Sequence, residues 1–512
     1  MPIPQPFGDD TVNLAFDTLR SGKQAIIFAN TKNSAEKTAE EIAKKLKEIT
    51  HETLAQEALN ALSSPTKQCR RLYECLRKGI AFHHSGLAPK QRELIEDSFR
   101  ARKLSLIAAT PTLAAGLDLP AFRVILKDLR RYGMRGLQYI PVLEYLQMAG
   151  RAGRPKFDAK GEAILIASSE GQSDELIQRY IHGKPEQIYS KLGAEPALRT
   201  YVLSLVATNV VRTRKQIQEF FSKTFFAHQY GDTSVLSRKI DDTLAQLEEW
   251  EFLAGERADD FRSAHDLMKG AYDATPMGKR VAELYIDPYT AHFFVEMLRR
   301  AADRVPQAFA WLQIISSTLE MRPRLRAGTR DQELLQQALL DFGDELLEKE
   351  PSIYEDEHQE FLDSVKTALF FRDWTEERTE EALLDAYSIR PGETRVKLAI
   401  AEWLLYCLEE ISRILQFKHL LSPLRRIKLC VINGVKEELL PLLQLRHIGR
   451  VRARKLFNNK IKDLKAVKEA DISLLAQLVG ATVAADVKRQ LGQNIEPVKE
   501  NKRKGQISLQ DY

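Results

Sequence analysis

The stretch Tyr145–Pro155, YLQMAGRAGRP, determines how the first part of this 512-residue chain is interpreted. It contains Gln147, Arg151 and Arg154, and it directly precedes a strand-like run, Glu162–Ala167. A guanidinium group is a planar, permanently charged fork, so an arginine at a helix start can reach a phosphate oxygen and stabilise charge that develops there. Both arginines are therefore candidate arginine fingers, although an ordinary basic helix face contains the same residues.

Short apolar runs alternate with helical patterns on either side of this stretch. Helices are predicted at Ser34–Ile49 and Pro89–Arg100. Apolar strands that alternate with helices are typical of a parallel sheet covered on both faces. The sequence therefore predicts an α/β domain over residues 1–195. Its predicted strands are Ala25–Ala29, Ile80–Phe82, Leu104–Ala109, Arg123–Leu126 and Glu162–Ala167.

Four segments resemble helicase motifs and follow one another in the family's order. QMAGRAGR resembles motif VI of superfamily 2 helicases, IIFANT motif IV, FHHSGL the histidine-containing motif after it, and TPTLAAGLDLP motif V. The domain thus resembles the second of two RecA-like motor domains. The resemblance implies catalytic roles for three residues of motif VI: Gln147, Arg151 and Arg154. It also implies that motif V connects the DNA track with the nucleotide cleft, through Thr112 on the DNA side and Gly116 and Asp118 on the nucleotide side.

Two motifs of a complete motor are absent from the sequence. There is no G-x-x-x-x-G-K-[ST] segment, because Ser21–Gln24 lacks the upstream glycine and the hydroxyl after the lysine, and there is no DExH string. Backbone amides that hold phosphates and a carboxylate that holds Mg²⁺ are therefore missing. We expect ATP and Mg²⁺ to be shared with a first motor domain, and the four cysteines have no spacing that suggests a metal site.

Between motifs V and VI, Leu129–Ile140 has glycines, Gly133 and Gly136, that permit a β-hairpin turn. Helicases of this family carry a strand-separating hairpin at this point. The resemblance implies that Tyr132 and Met134 press against the first open base pair. A surface hairpin without this role is the alternative.

After residue 195 the patterns become helical, and four further segments are predicted. Three helices and a short hairpin indicate a winged helix, and apolar positions three or four apart indicate a helical bundle. The predicted segments are a winged helix over 196–288, a helical ratchet bundle over 289–435, a helix-hairpin-helix domain over 436–500 and a disordered basic tail over 501–512.

One helix of the bundle, Glu393–Phe417, combines cationic and aromatic side chains. Arg395 and Trp403 are predicted to contact single-stranded DNA, since bases stack on aromatic faces and cations meet phosphates. A core position for Trp403 is the alternative. The EWL segment that contains this tryptophan resembles the ratchet helix of archaeal Hjm-type helicases, a Ski2-like group, although Val396 stands where that family suggests a basic residue.

The C-terminal part of the chain concentrates basic residues. From residue 441 to 512 there are fifteen lysines and arginines against seven acidic residues, a net charge of +8, whereas the whole chain has +5. Within Leu442–Ile461, an Ile-Gly-Arg-Val turn is typical of helix-hairpin-helix modules, whose backbone amides bind phosphate. The family pattern has glycine at the position of His447. The predicted DNA contacts are Arg446, Arg450, Arg452, Arg454 and Lys455, with a solvated basic helix as the alternative.

The last residues, Lys502–Tyr512, have a basic run and no apolar periodicity, so we expect disorder in the free protein. Gln506, Leu509 and Tyr512 have the spacing of a peptide that binds a sliding clamp. The second aromatic residue of such peptides is missing, and a terminus without function is the alternative.

Together these patterns predict the C-terminal portion of a 3′-to-5′ ATP-dependent DNA helicase for repair and recombination, acting on single-stranded and forked DNA. Two alternatives stay open: a DNA-binding or regulatory module without its own ATPase, and a Ski2-type RNA helicase. Neither a signal segment nor a run of eighteen apolar residues is present, so we expect a cytoplasmic, nucleoid-associated protein without membrane contact.

Overall fold

The computed structural model describes residues 3–62, 64–114, 119–133, 136–153, 160–231, 233–255 and 271–493, which form two compact units. The first unit contains a five-stranded parallel sheet, which confirms the predicted α/β fold. Its described strands are β1 (Ala25–Phe28), β2 (Ile80–His83), β3 (Leu106–Ala109), β4 (Arg123–Leu126), the antiparallel hairpin strands β5 (Arg130–Gly133) and β6 (Gly136–Tyr139), and β7 (Glu162–Leu165).

The spatial order of the sheet is β2-β3-β1-β4-β7, so β1 lies in the centre. Ile27 of β1 is opposite Ala108 of β3 and Ile125 of β4, and all three are fully buried. The hairpin of β5 and β6 lies outside this sheet, where the glycine spacing predicted it.

Amphipathic helices bury the faces of these strands. The helix that begins at Pro89 does so because proline is preorganised for the first helical position, and it buries Ile95 and Phe99, one turn apart. The described helices of this part are α1 (Asp10–Arg20), α2 (Lys32–Lys45), α3 (Glu52–Leu59), α4 (Lys67–Leu76), α5 (Pro89–Arg100), α6 (Val142–Ala149) and α7 (Glu170–Leu176).

The second unit, which contains Tyr189–Arg378 and the residues from Lys397 onward, begins with helices and a small antiparallel strand pair. This arrangement matches the predicted winged helix. Its elements are α8 (Glu195–Ala207), α9 (Arg214–Ser222), α10 (Phe225–Tyr230), α11 (Thr233–Glu249), β8 (Leu253–Ala254), β9 (Asp273–Ala274) and α12 (Pro276–Leu284).

The predicted helical region follows. Fully buried Trp311 and Phe370 lie on the two helices of this region that pack most extensively against each other, Ala308–Ser317 and Glu357–Thr375. The helices are α13 (Pro288–Arg300), α14 (Ala308–Ser317), α15 (Gln332–Phe342), α16 (Glu357–Thr375), α17 (Glu380–Tyr387), α18 (Pro391–Ile414) and α19 (Lys418–Asn433).

A separate small core supports the C-terminal helices. Leu442, Ile448, Leu456 and Val467 are among its buried residues. The helices are α20 (Arg450–Asn458), α21 (Leu464–Glu469), α22 (Ile472–Val479) and α23 (Ala481–Gln490). None of the described helices in the chain combines the length and apolar content that crossing a lipid bilayer requires.

One segment belongs to a different unit from its neighbours in sequence. Thr379–Val396, which contains α17 and the first turn of α18, groups with the α/β domain. The domain boundaries predicted from the sequence placed this segment in the ratchet bundle.

A buried carboxylate connects the segment Thr379–Val396 to the α/β domain. Glu36 of α2 has only 1% of its side chain exposed. Burial alone would raise its pKa, but hydrogen bonds from His84 and Gln68 and the charges of Arg390 and Arg71 hold the pKa of Glu36 at about 2. Its oxygen atoms accept from Gln68 Nε2 at 2.8 Å, His84 Nε2 at 3.0 Å, Arg390 Nε at 3.2 Å and Arg71 Nη1 at 2.5 Å.

His84 is held as one neutral tautomer. Its Nδ1 accepts from the backbone N–H of Gly86 at 3.1 Å, so the proton lies on Nε2, which donates to Glu36. Burial lowers the pKa of His84, which agrees with a neutral ring. The N–H of Gly392 in turn donates to the carbonyl oxygen of Gly86 at 3.0 Å. We call these five residues, Glu36, His84, Gly86, Arg390 and Gly392, the clasp.

We predict that Glu36→Gln lowers the free energy of unfolding of the α/β domain by about 3 kcal/mol at pH 7. The carboxyl pKa is depressed from 4.5 to about 2 in the folded state, so its stabilisation is present above pH 4.5 and is lost as the pH falls toward 2. The difference between the two proteins should therefore shrink by more than half between pH 7 and pH 3.

Amide hydrogen exchange at Ile27, in the central strand, measures this difference, because comparing both proteins at one pH cancels the intrinsic pH dependence of exchange. A difference that stays constant from pH 7 to pH 3 would contradict the assignment of a depressed pKa to Glu36.

Candidate nucleotide and nucleic-acid interface

The arginine-rich turn follows a short helix. Helix α6 buries Val142, Tyr145 and Met148 against the domain core, which leaves Gln147 exposed. The helix ends at Ala149 and Gly150 is its C-terminal cap, so Arg151 follows a helix end. The expectation that Arg151 lies at a helix start was wrong, because α6 ends before it.

Motif VI is attached to motif V by a side chain, and to Ala121, the residue directly after motif V, by its backbone. The guanidinium group of Arg151 donates to the carbonyl oxygen of Ala114, from Nη2 at 2.5 Å and from Nε at 3.2 Å. The N–H of Ala121 donates to the Arg151 carbonyl at 2.9 Å, and the N–H of Gly153 donates to the Ala121 carbonyl at 2.7 Å. Gly153 has a φ of +95°, which favours glycine at this point of the turn.

The segments after β1, β3 and β4 also meet at the carboxyl ends of the strands. Thr112, exposed in motif V, shares a hydrogen bond of 2.9 Å with the hydroxyl of Thr110. Asn30 follows β1 in motif IV, and its backbone N–H donates to Asp128 Oδ2 at 3.3 Å. Its side-chain amide donates to the Arg130 carbonyl at 2.6 Å and so connects motif IV to the hairpin.

Several predicted site residues lie outside the described residues, so their roles stay predictions. For Tyr132 the structure describes the backbone alone, which pairs with Leu137 in the hairpin. The residues outside the description are Arg154, Gly116, Asp118, Met134, Gln506, Leu509 and Tyr512.

The predicted stacking residue of the ratchet helix is half-buried. Trp403 donates its indole N–H to the carbonyl oxygen of Leu284 at 3.0 Å, which fixes the ring while part of it stays accessible. Arg395 is exposed, and its Nη2 lies 3.0 Å from Glu380 Oε1. Val396, at the position where a basic residue was expected, is 59% exposed.

The predicted C-terminal hairpin contains one residue in the left-handed backbone region. His447 stands where the family pattern has glycine, and it has a φ of +67°, in the left-handed region that glycine favours. Gly449 caps α20 without a side-chain acceptor, so no side chain of the cap competes with a phosphate for the first backbone N–H groups of α20.

The five predicted basic contacts separate into two groups. Arg446, Arg452 and Lys455 are exposed, and Arg452 Nη1 also donates to the His447 carbonyl oxygen within the hairpin at 2.8 Å. Arg450 lies 4.9 Å above the ring of Trp374, and it donates to the carbonyl oxygen of Arg378. Arg454 forms ion pairs with Glu377 at 2.5 Å and Glu438 at 2.7 Å. The structure therefore gives these last two arginines partners outside the hairpin.

Sequence reasoning missed the clasp. The turn signals at Arg390-Pro391-Gly392 indicate a break between helices, but the break ends at Arg390 and α18 already begins at Pro391. Nothing local indicates that Arg390 contacts Glu36, 354 positions earlier. The available signal was Glu36, the one charged residue among the buried residues of α2, which are otherwise alanines, an isoleucine and a threonine.

Comparisons with known proteins agree with this architecture. Residues 60–156 match the helicase conserved C-terminal domain, residues 161–254 a helix-turn-helix domain, and residues 309–434 domain 4 of archaeal helicases. The chain is 39% identical over 502 residues to the ATP-dependent DNA helicase Hel308 of Methanocella arvoryzae, covering 96% of this chain and 66% of the relative. It is 35% identical to Hel308 of Pyrococcus horikoshii, covering 96% of this chain and 67% of the relative. The chain thus spans about two thirds of the length of these relatives.

We predict that Arg452→Ala mainly weakens DNA binding, whereas Arg454→Ala mainly weakens the stability of the fold. Arg452→Ala should weaken DNA binding similarly for all sequences and reduce the slope of log affinity against log salt by about 1, because one phosphate contact is lost. Arg454→Ala should lower the unfolding free energy by about 1 to 3 kcal/mol, because Glu377 loses its charged partner.

Titrations of single-stranded DNA at two or more salt concentrations, with urea unfolding of each variant, separate these effects. A large stability loss for Arg452→Ala together with an unchanged stability for Arg454→Ala would contradict the division into two groups.

Proposed function

Since the chain belongs to the Hel308 family of helicases, we propose that it works as the C-terminal portion of an ATP-dependent DNA helicase that moves 3′ to 5′ on forks and recombination intermediates. The observation that carries this proposal is the attachment of motif VI to motif V by Arg151, Ala114 and Ala121. Such an attachment lets a change at a nucleotide alter a DNA-contacting loop through a few bonds.

The residues present fit one side of an ATP site. Arg151 is only partly buried, and its backbone pairs with Ala121 at the amino end of β4, directly after motif V. Bound ATP and Mg²⁺ would supply the phosphoryl group and its charge neutralisation, and the groups that hold them would come from a first motor domain. Arg151 would orient motif V, while Arg154 and Gln147 would act on the transferred phosphate and the attacking water.

The DNA side of the proposal uses three surfaces. The β5–β6 hairpin, with Tyr132 and Met134, would separate the strands at the junction. Trp403 would stack on a base of the tracking strand, with Arg395 and Thr112 on its phosphates. The exposed arginines of the C-terminal hairpin would bind the DNA phosphate backbone without distinguishing the base sequence.

Two other functions compete with this one. A binding module without ATPase is favoured by the absent phosphate-binding loop, and a Ski2-type RNA helicase by the shared motor motifs. The basic helix-hairpin-helix favours DNA over RNA. A clamp contact through Gln506, Leu509 and Tyr512, and a place at the nucleoid, stay additional proposals.

The first test of the proposal is chemical. The chain joined to a first motor domain should hydrolyse ATP in a DNA-stimulated manner, and Arg154→Ala should lower turnover by roughly three orders of magnitude, because a finger stabilises charge in the transition state. DNA affinity should change little. Steady-state ATPase assays with and without single-stranded DNA measure this.

Arg100→Ala is the matched control, because Arg100 is an exposed arginine of the same domain that pairs with Asp97 within α5. Full turnover of Arg154→Ala would remove the finger assignment. ATPase activity of the present chain alone would show that the proposal misplaces the nucleotide site.

The second test concerns the track. Trp403→Ala should weaken single-strand binding by about 1 to 3 kcal/mol and uncouple unwinding from hydrolysis, because a base loses its stacking partner. Trp403→Phe keeps an aromatic face but loses the hydrogen bond to Leu284, so it should retain most of the binding.

If Trp403 serves only the fold, its truncation should instead cost about 3 to 5 kcal/mol of unfolding free energy. Equal loss of binding in both variants, with that loss of stability, would rule out the stacking role.

A further inference from the structure

The clasp holds a distant part of the chain inside the α/β domain. Thr379 comes 191 positions after Ile188, the last residue of the domain's main segment, yet Thr379–Val396 is part of the same compact unit. Helix α18 begins inside this segment at Pro391.

The backbone approach in the clasp is too close for a side chain. A Cβ atom at Gly392 would lie 2.3 Å from the carbonyl oxygens of both Ser85 and Leu87. A Cβ atom at Gly86 would lie 2.3 Å from Cδ of Arg390. The first turn of α18 therefore rests directly on the FHHSGL segment after β2.

Polar contacts surround this close approach. Arg390 reaches Asn33 as well as Glu36, and Glu393 is paired with Lys32. At the exposed margin Arg70 pairs with Glu381 at 3.3 Å, with 58% of the arginine side chain exposed. Since exposed pairs contribute little, the buried contacts of Arg390 dominate the attachment.

We propose that Arg390 and Glu36 are positioning residues that fix the first turn of α18 on the α/β domain, so that movement of this domain is transmitted along α18 to Trp403. This inference rests on the proposed function, because it assumes that Trp403 contacts DNA. Trp403 follows Pro391 by twelve positions in one continuous helix, which is about 18 Å along the axis. A helix fixed at its first turn carries such a displacement as a rigid rod, whereas a released helix start would absorb it.

The attachment can be measured in the chain itself. All four native cysteines are buried, so spin labels would react at Lys37→Cys on α2 and Val396→Cys on α18, both exposed positions of the first unit. We expect a single narrow distance distribution for the parent. Arg390→Ala should broaden it, and so should Gly392→Ala, which disturbs the clasp from the backbone side.

Arg70→Ala is the matched control, because it removes an arginine contact to the same segment at the exposed margin. It should leave the distribution narrow, and Arg390→Lys should restore part of it. An unchanged distribution in both Arg390→Ala and Gly392→Ala would overturn the proposal.

The mechanical role has its own readout in the helicase completed with a first motor domain. Arg390→Ala should keep DNA-stimulated ATPase within about two-fold of the parent. The number of base pairs unwound per ATP should fall by at least about five-fold, which is the lower end of the effects that energetic coupling between two sites typically produces. Combining Arg390→Ala with Trp403→Ala should add little to either alone, because both act on one pathway.

A proportional fall of ATPase and unwinding, or fully multiplicative effects in the double variant, would overturn the transmission role and assign Arg390 to the fold. If the completed parent shows no DNA-stimulated ATPase, the proposed function fails. In that case the spin-label result on the chain alone still decides whether the clasp fixes α18.

Discussion

The structure of the α/β domain depends on the parallel register around β1. Because β3 and β4 both pair with this central strand in the same direction, the segments that follow β1, β3 and β4 begin at one edge of the sheet. Motifs IV and V thereby come together without a dedicated contact between distant helices. Motif VI is held at the opposite, amino end of β4 by two backbone hydrogen bonds of Ala121, the residue that lies two positions before this strand.

Local sequence patterns predicted the strands and helix starts that depend on residues close together in the sequence. The apolar runs around Ile27 and Val124 predicted buried parallel strands, and Pro89 predicted the start of α5, all of which the structure confirms. The position of Arg151 at a helix start was predicted wrongly, because helical periodicity before Gly150 does not show where the helix ends. Gly153 with its positive φ shows that the chain turns there to pair with Ala121.

Such local patterns did not predict contacts between residues that are distant in the sequence. Counting charges in the C-terminal region suggested five DNA-facing cations, but Arg450 and Arg454 contact Trp374 and Glu377 at the end of α16. A charge count cannot distinguish a cation that faces solvent from one that holds two helical segments together. Only the exposed fraction and the partners of each guanidinium group make this distinction, and both require the tertiary structure.

The buried carboxylate of the clasp favours an attachment of α18 in which either all of the contacts form or none of them does. Removing Glu36 from water costs several kcal/mol, which its neighbours offset only while all of them are in place. Loss of Arg390 alone would leave a buried negative charge short of a cation, and a His84 ring that turned away would also release the N–H of Gly86. Because each contact depends on the others, intermediate positions of the helix start are less stable than the docked one. An apolar patch of equal area would tolerate sliding, since burial of apolar surface has no preferred direction. The ionic cluster therefore fixes the position of the first turn of α18 as well as its attachment, which is the property that a transmitting helix requires.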